Sequence, residues 1–346
     1  MYDYIIVTHL PAFYKVNLYN ELAKNIKIFV IFVSSETNEK RSSDFSSLKD
    51  ASFEYFLLTQ QALQQRNKLK TLYKLFLKIH NIQYKKILVS GWDLPEFWLV
   101  AILSPSKKNC LALESTIVES NISGLKGNIK RLFLSMIETV FASGKLHVDL
   151  LGKLDYKKEI RVTKGVGIIN KPYFERIEKE YQKRFLFIGR LSKVKNLELL
   201  INVFNKLPNH KLTIVGDGEE KQYLASIANS NIKFIGSIEN TELKYIFNNN
   251  DIFILPSISE TWGLVIEEAL YFGLPVIVSR NCGACELIDN EFNGYVVEPS
   301  LNNLEFIIKN ISNDTYNKFC NNVRLYPIEN KDRHQVLIYE CVNALM

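Results

Sequence analysis

The sequence predicts an α/β protein of two doubly wound domains, each a parallel sheet with helices on both faces. Three observations carry that expectation. Short, nearly continuous apolar runs alternate with segments that are apolar at helical spacing, the pattern of strands buried on both faces. The alternation pauses around Gly165–Lys171 and then restarts. And 346 residues exceed what one hydrophobic core usually serves.

In the first half, Tyr4–Thr8 reads as a strand and Val16–Lys24 as a helix, with Val16, Tyr19, Leu22 and Ala23 at helical spacing. Ile28–Val33 and Glu54–Leu58 are further strands. Lys68–His80 is a helix whose apolar face is Leu69, Leu72, Tyr73, Phe76, Leu77 and His80, with lysines between. Lys86–Ser90, Lys108–Glu114 and Thr139–Ala142 are strands, the last two joined by a long loop and a basic helix near Lys126–Ile137. The segment GVGIINKPYF and the charged stretch Glu175–Arg184 read as a linker. The second half then gives strands at Arg184–Gly189, Lys211–Val215, Lys233–Ile235, Asp251–Leu255, Pro275–Ser279 and Tyr295–Val297. Between them lie helices at Asn196–Lys206, Glu220–Ala228, Thr241–Asn248 and Leu264–Tyr271. A final helix, Arg333–Leu345, has Leu337, Cys341 and Leu345 at four-residue spacing, with Ile338 and Val342 beside them.

Composition narrows the class. The chain is 47% hydrophobic and 23% charged, which argues against disorder. No apolar run approaches the ~18 residues of a membrane span; Phe97–Leu103, between Pro95 and Pro105, is the nearest. The start, MYDYIIVTHLP, reads as a strand and not a signal peptide, so a cytoplasmic protein is expected. Five cysteines, an odd number, suggest reduced thiols. Cys282 and Cys285 form one C-x-x-C with neither a second such pair nor a nearby histidine, so no metal site is expected. Charge is uneven: residues 1–170 hold 24 Lys and Arg against 15 Asp and Glu, and residues 171–346 hold 19 against 22.

In doubly wound sheets, ligands bind beyond the carboxyl ends of the strands, so with two such domains the cleft between them is the expected site. After the first strand of the second half comes Gly189-Arg190-Leu191-Ser192-Lys193-Val194-Lys195-Asn196. Gly189 admits a ligand close to the backbone, and Arg190 and Lys195 supply cations at a strand-to-helix crossover, where a diphosphate is held. The next strand ends in Gly216-Asp217-Gly218, a partial phosphate-loop pattern with Lys221 where a third glycine would stand. Leu255–Ala269 is the richest segment. Glu260 precedes a helix and Glu268 lies about one turn inside it; eight helical steps would separate them by ~12 Å. Carboxylates accept from sugar hydroxyls, and the first-turn amides at Trp262–Val265 suit phosphate oxygens. Each piece alone has a plainer reading: a solvated basic loop, a tight turn, a helix cap with surface acids.

Taken together, GRLSKVKN, the GDG turn and ETWGLVIEEA resemble the retaining glycosyltransferases of family 4. Leu274-Pro275-Val276-Ile277, Cys285-Glu286-Leu287-Ile288 and Asn293-Gly294 follow in that family's order. The likeness runs over Arg184–Pro299 and centres on an E-x7-E motif matched by Glu260 and Glu268. It implies the GT-B fold, α/β with two Rossmann-like domains facing a central cleft: an acceptor domain at 1–168, with helix 331–346 packing back on it, and a donor domain at 172–330. Closure around Gly165–Pro172 would exclude water. By the same resemblance, Arg190 and Lys195 hold the diphosphate, Glu260 orients the donor sugar and Glu268 holds the ribose hydroxyls. Gly189, Gly216 and Gly218 line the donor, and the backbone of Thr261, Trp262, Gly263, Leu264 and Val265 contacts sugar and phosphate. The loop of Gly236, Ser237 and Ile238 frames the base. Cys282 and Cys285 fall where the family has small packing residues.

The first half departs from the family. Thr8-His9-Leu10-Pro11-Ala12-Phe13-Tyr14 stands where members often have a glycine pair, and Glu114-Ser115-Thr116 where they often have a histidine. His9, Phe13, Trp92, Asp93 and Glu114 are the acceptor-side candidates. The reaction implied moves a hexose or N-acetylhexosamine from a nucleoside-diphosphate sugar, UDP favoured over GDP, to a carbohydrate or lipid-linked oligosaccharide acceptor with retention, as in surface polysaccharide synthesis. No cofactor, essential metal or protein nucleophile is expected. The basic helix near Lys126–Ile137, with Leu125, Leu132 and Phe133, and the lysine-lined Lys68–Lys86 segment suggest contact with anionic lipid at the inner face of the cell membrane; an ordinary solvated helix face is the alternative. Nucleic acid is not expected. The competing functions are a nucleotide-sugar epimerase or phosphorylase on the same fold, and a nucleotide-sugar binding protein without activity.

Overall fold

Strands buried on both faces need helices on both sides, and the chain supplies them in alternation. The computed structural model describes residues 1–39, 45–175, 179–326 and 328–341. The chain divides into two units, Met1–Ile168 with Glu329–Met346, and Ile169–Ile328.

In the first unit the order is β1 (Tyr2–Thr8), α1 (Phe13–Ala23), β2 (Ile28–Phe32), β3 (Glu54–Leu57), α2 (Lys68–His80), β4 (Tyr84–Val89), α3 (Pro95–Leu103), β5 (Asn109–Leu113), α4 (Gly124–Ser135), β6 (Thr139–Ala142), α5 (Lys145–Lys153) and β7 (Glu159–Val162). The sheet runs β3-β2-β1-β4-β5-β6-β7 and is parallel throughout. Right-handed crossovers place α2 through α5 on one face and α1 on the other. The cores follow: Leu75, Ile79, Phe97, Val100, Phe133, Leu134, Leu150 and Leu151 share one cluster. Val16, Tyr19 and Leu22 share the opposite one.

The second unit holds β8 (Arg184–Ile188), α6 (Leu197–Asn205), β9 (Lys211–Val215), α7 (Lys221–Ile227), β10 (Ile232–Gly236), α8 (Leu243–Asn248), β11 (Ile252–Leu255), α9 (Leu264–Tyr271), β12 (Val276–Ser279), β13 (Gly294–Val297), α10 (Leu301–Asn310) and α11 (Asn313–Arg324). Its parallel sheet runs β10-β9-β8-β11-β12-β13. The last helix, α12 (Ile328–Glu340), reaches the first unit's core. Tyr339 is buried and stacks on Phe141 with ring centroids 4.4 Å apart, and its carbonyl accepts from the Tyr4 hydroxyl at 3.1 Å. Val342 and Leu345, expected on this helix, lie outside the described residues, as do 176–178 of the expected linker.

Several elements differ from the sequence reading. Helices α3, α5, α10 and α11 and strand β7 were not expected. Helix α3 (PEFWLVAIL) is apolar nearly all round, so no period of 3.6 shows, and Pro95 occupies its first turn, where a missing amide is harmless. Strand β7 is short and half-buried. The apolar face read for Lys68–His80 turns out to point outward. Thr71, Leu75 and Ile79 are buried, while Leu69, Tyr73, Phe76, Leu77 and His80 are exposed. On α4, Phe133 belongs to the core and not to the outward face with Leu125 and Leu132. The stretch expected to hinge is partly tied down. Ile168 N–H donates to Tyr14 O at 2.9 Å, and Asn17 Nδ2 donates to Ile168 O at 3.0 Å. On the other side, Tyr271 Oη donates to Pro172 O at 3.2 Å.

Candidate active site

Strand order reverses between β8 and β11, so the loops leaving these two strands diverge and open a crevice at their carboxyl ends. Lys195 leaves from β8 and Glu260 from β11, and the Lys195 ammonium is ion-paired with the Glu260 carboxylate across that point. Both side chains are largely buried, at 16% and 17% exposed. The two loops are also stitched by backbone: Ile258 N–H donates to Val194 O at 2.9 Å, and Asn196 Nδ2 to Pro256 O at 3.2 Å. Arg190 is exposed on the same β8 loop, beside Gly189.

Gly216 explains itself sterically. A Cβ there would lie 1.9 Å from Gly189 O, so only glycine lets the β8 and β9 loops approach this closely. Asp217 accepts from Gly218 N at 2.7 Å, closing the GDG turn. Gly216 N donates to Gly236 O at 2.8 Å, which brings the Gly236–Ser237–Ile238 loop alongside.

Residues 260–268 are not one continuous helix, so the ~12 Å helical estimate does not apply. Glu260 forms a parallel bridge with Cys282, and α9 starts only at Leu264. Gly263 makes the corner with φ at +96°, and a Cβ there would meet Cys282 Sγ at 3.0 Å. The first-turn amides of α9 therefore begin beside Glu260. Glu268 is buried, at 9% exposed, and is not a surface acid. The Trp262 side chain is core: its indole N–H donates to Glu267 at 2.6 Å, so Trp262 stays a candidate through its backbone alone. Cys282 is buried with Sγ 2.8 Å from Trp262 O, and burial, with the Glu260 charge behind it, pushes its thiol well up. Such a thiol packs and does not react.

The first unit has its own switch point, between β1 and β4. His9 follows β1 and Asp93 follows β4, and His9 Nε2 lies 2.9 Å from Asp93 Oδ2. Burial raises the Asp93 carboxyl, but the His9 hydrogen bond and charge outweigh it and hold it below its ordinary range. Phe97 meets the imidazole edge-on at 4.8 Å. A recess of about 180 Å³ is lined by His9, Tyr14, Lys15, Gln64 and Glu114. Lys15 is buried and pairs with Glu114 at 2.7 Å. Burial alone would lower the Lys15 ammonium, but Glu114 raises it, so it stays charged. Phe13 is half-buried against Phe45 and Tyr14. Trp92 lies apart from this recess, in a slot with Trp98, Lys126, Ile129 and Lys130.

Sequence reasoning missed Lys15 and His147. Lys15 had a signal, as the only cation within Phe13–Ala23, beside the apolar Val16, Leu18 and Tyr19. His147 is buried on α5, and burial holds its imidazole down to about 4. A cavity of about 740 Å³ lies at the amino ends of the second sheet's strands and includes Lys179, Asp251, Tyr316 and Arg324. There Lys179 caps carbonyls that end α8, and Asp251 accepts from Gln182 and Arg184 amides; these contacts are structural.

Residues 171–324 match the family described as Glycosyl transferases group 1. An uncharacterized glycosyltransferase of Methanocaldococcus jannaschii is 27% identical over 216 residues, covering 56% of this chain and 51% of that protein. The O-antigen biosynthesis glycosyltransferase WbnH of Escherichia coli is 35% identical over 141 residues, covering 40% of each. The chain thus spans about half the length, or less, of these curated relatives. Among solved structures, Anabaena HepE in complex with UDP and glucose superposes with a TM-score of 0.72 at 15% identity, covering 100% of both chains. Likeness at that identity speaks for architecture alone, and together with the two parallel sheets it makes the fold GT-B.

Proposed function

We propose that the chain is a retaining glycosyltransferase that moves a hexose or N-acetylhexosamine from a UDP-sugar to a carbohydrate or lipid-linked sugar acceptor, for a bacterial surface polysaccharide. It would act in the cytoplasm, at the inner face of the membrane. The observation that carries this reading is the Lys195–Glu260 pair across the second sheet's switch point. A cation for the diphosphate and an acid for the sugar hydroxyls already stand together where such sheets take ligands. When the donor arrives, Lys195 turns to phosphate and Glu260 to a hydroxyl. Lys195 then has an anion and Glu260 a hydrogen-bond donor, which offsets part of the several kcal/mol that a largely buried ion without a partner costs. Arg190 adds a planar donor fork, and the start of α9 adds amides; together they stabilise charge developing on the leaving diphosphate. Glu268 takes the ribose hydroxyls.

The acceptor hydroxyl attacks from the leaving-group face, and a phosphate oxygen takes its proton. No protein nucleophile, cofactor or essential metal is needed. His9, Asp93 and Glu114, at the first sheet's strand ends, receive the acceptor, with Phe13 as an aromatic neighbour. UDP is favoured because HepE was solved with UDP and glucose. The polysaccharide role rests on WbnH, an O-antigen biosynthesis glycosyltransferase.

A panel of nucleotide-sugars tests this by melting temperature, since a ligand that binds the folded state raises it. UDP-sugars should raise it and GDP-sugars should not. With the donor so found, Glu260→Gln and Arg190→Ala should each cut nucleotide release by about 10²-fold or more. Full turnover in both variants would sink the assignment, and an inverted anomer in the product, read by NMR, would remove retention.

A further inference from the structure

We propose that the cavity at the amino ends of the second sheet's strands is a second, non-catalytic site that takes a neutral oligosaccharide, on walls built from Tyr181 and the asparagine row of α11. Its purpose, holding a stretch of glycan that is not reacting, rests on the transferase reading; its existence and its test do not.

The cavity belongs to one unit and lies at the other end of the sheet from the Lys195–Glu260 pair. Asp251 stands just before β11 and Glu260 beyond its end. A strand's length, about 15 Å, therefore separates the two ends. The volume, about 740 Å³, falls in the roughly 300–1,000 Å³ range of small-ligand sites.

Helix α11 makes one wall. Tyr316, Phe319 and Val323 are buried, whereas Asn313, Asn317 and Asn321 fall at four-residue spacing along the side that lines the cavity. All three are exposed, and none spends its side chain on a hydrogen bond among the described residues. Asparagine is a weak helix former, so helix stability does not explain the row. Its amide both donates and accepts, as the hydroxyls of a sugar do. The buried Tyr316 ring backs the half-buried Tyr181 ring, with centroids 4.8 Å apart and planes 21° from parallel. A ring held this way offers an apolar plate to the C–H face of a sugar. Tyr181 Oη is itself buried, with no partner among the described residues. A hydroxyl left so is destabilising, and a sugar hydroxyl or water brought into the cavity supplies the partner.

Charge sets the ligand class. The charged residues of the lining are Lys179 and Arg324, Glu180 and Asp251, two of each sign. The Lys179 ammonium already donates to Asn248 O at 2.9 Å, and Asp251 accepts from Arg184 N at 2.8 Å. A phosphate or nucleotide calls for cations in surplus. A balanced lining rich in amides and aromatic carbon suits an uncharged polyol.

The test titrates the full chain with maltohexaose, cellohexaose and chitohexaose, each followed by saturation-transfer NMR. Binding of at least one is expected, unchanged by saturating UDP and unchanged in Glu260→Gln. Tyr181→Ala should weaken it about tenfold through the lost aromatic contact. Removing a ring also loosens packing, so the double change Asn317→Ala with Asn321→Ala is the second variant. Alanine favours the helix, so its melting temperature should hold, and it too should weaken binding about tenfold. The rise in melting temperature with UDP is read separately, and its absence would count against the donor reading alone. No binding by any of the oligosaccharides would overturn the site, as would binding that the double variant leaves unchanged. So would binding that UDP or Glu260→Gln removes, which would place the glycan at the donor crevice. Binding of inorganic pyrophosphate that the double variant weakens would overturn it too, since the cavity would then be an anion site.

Discussion

At the scale of single residues, His147 sets a pH limit. Burial holds its imidazole at about 4, against an ordinary 6.5. Between those values the unfolded chain binds a proton that the folded chain refuses, so stability falls as pH is lowered through that window. The full loss is roughly 3 kcal/mol. Thermal melts between pH 7 and about pH 4 should therefore show a decline that His147→Gln flattens; an equal decline in both proteins would mean that other groups govern the acid limb. His147 also shows why some residues stay hidden in a sequence. Lys195 and Glu260 could be read because they sit in motifs at strand ends, and so could His9 and Asp93. The contacts of His147, and the choice of Glu114 as partner for Lys15, are tertiary, made between segments far apart in the chain. Nothing in either local sequence specifies them.

At the scale of elements, one buried cluster fastens α2 to α3. Arg66, just before the Asn67 cap of α2, makes a two-pronged contact with Glu96 of α3, both prongs at 2.9 Å. Thr71 of α2 adds a hydroxyl to the same carboxylate at 2.6 Å. Burial raises the Glu96 carboxyl, but Arg66 and Thr71 outweigh it and hold it low. Arg66→Ala leaves a buried anion without its partner and should cost about 3–5 kcal/mol, read as a lower urea midpoint. A loss under ~1 kcal/mol would place the pair among weak surface bridges. The elements themselves were legible where the apolar period was clean, as in β1, β2, α6 and β9. Period failed for α3, which is apolar on every side. For α2 it found a true stripe but not which way it faces, since an outward apolar row and a core row look alike in sequence.

At the scale of the molecule, α12 completes a unit that begins more than 300 residues earlier. Tyr339 fills space against Phe141 and Tyr4, and Lys331 donates to Gly167 O at 3.4 Å. A fragment of residues 1–168 should therefore melt lower than the full chain's first unit and bind a hydrophobic dye, while adding residues 329–346 as a separate peptide should restore part of the loss. A fragment as stable as the intact unit would show that α12 is dispensable. The same closure has a temporal side. A ribosome delivers residues in order, so β1 through β7 emerge first and must wait, with their α1 side unsealed, while the entire second unit is made and folds. Only then does the closing helix appear. Nascent chains should thus lean on holdase chaperones for longer than a protein whose amino-terminal domain closes on itself.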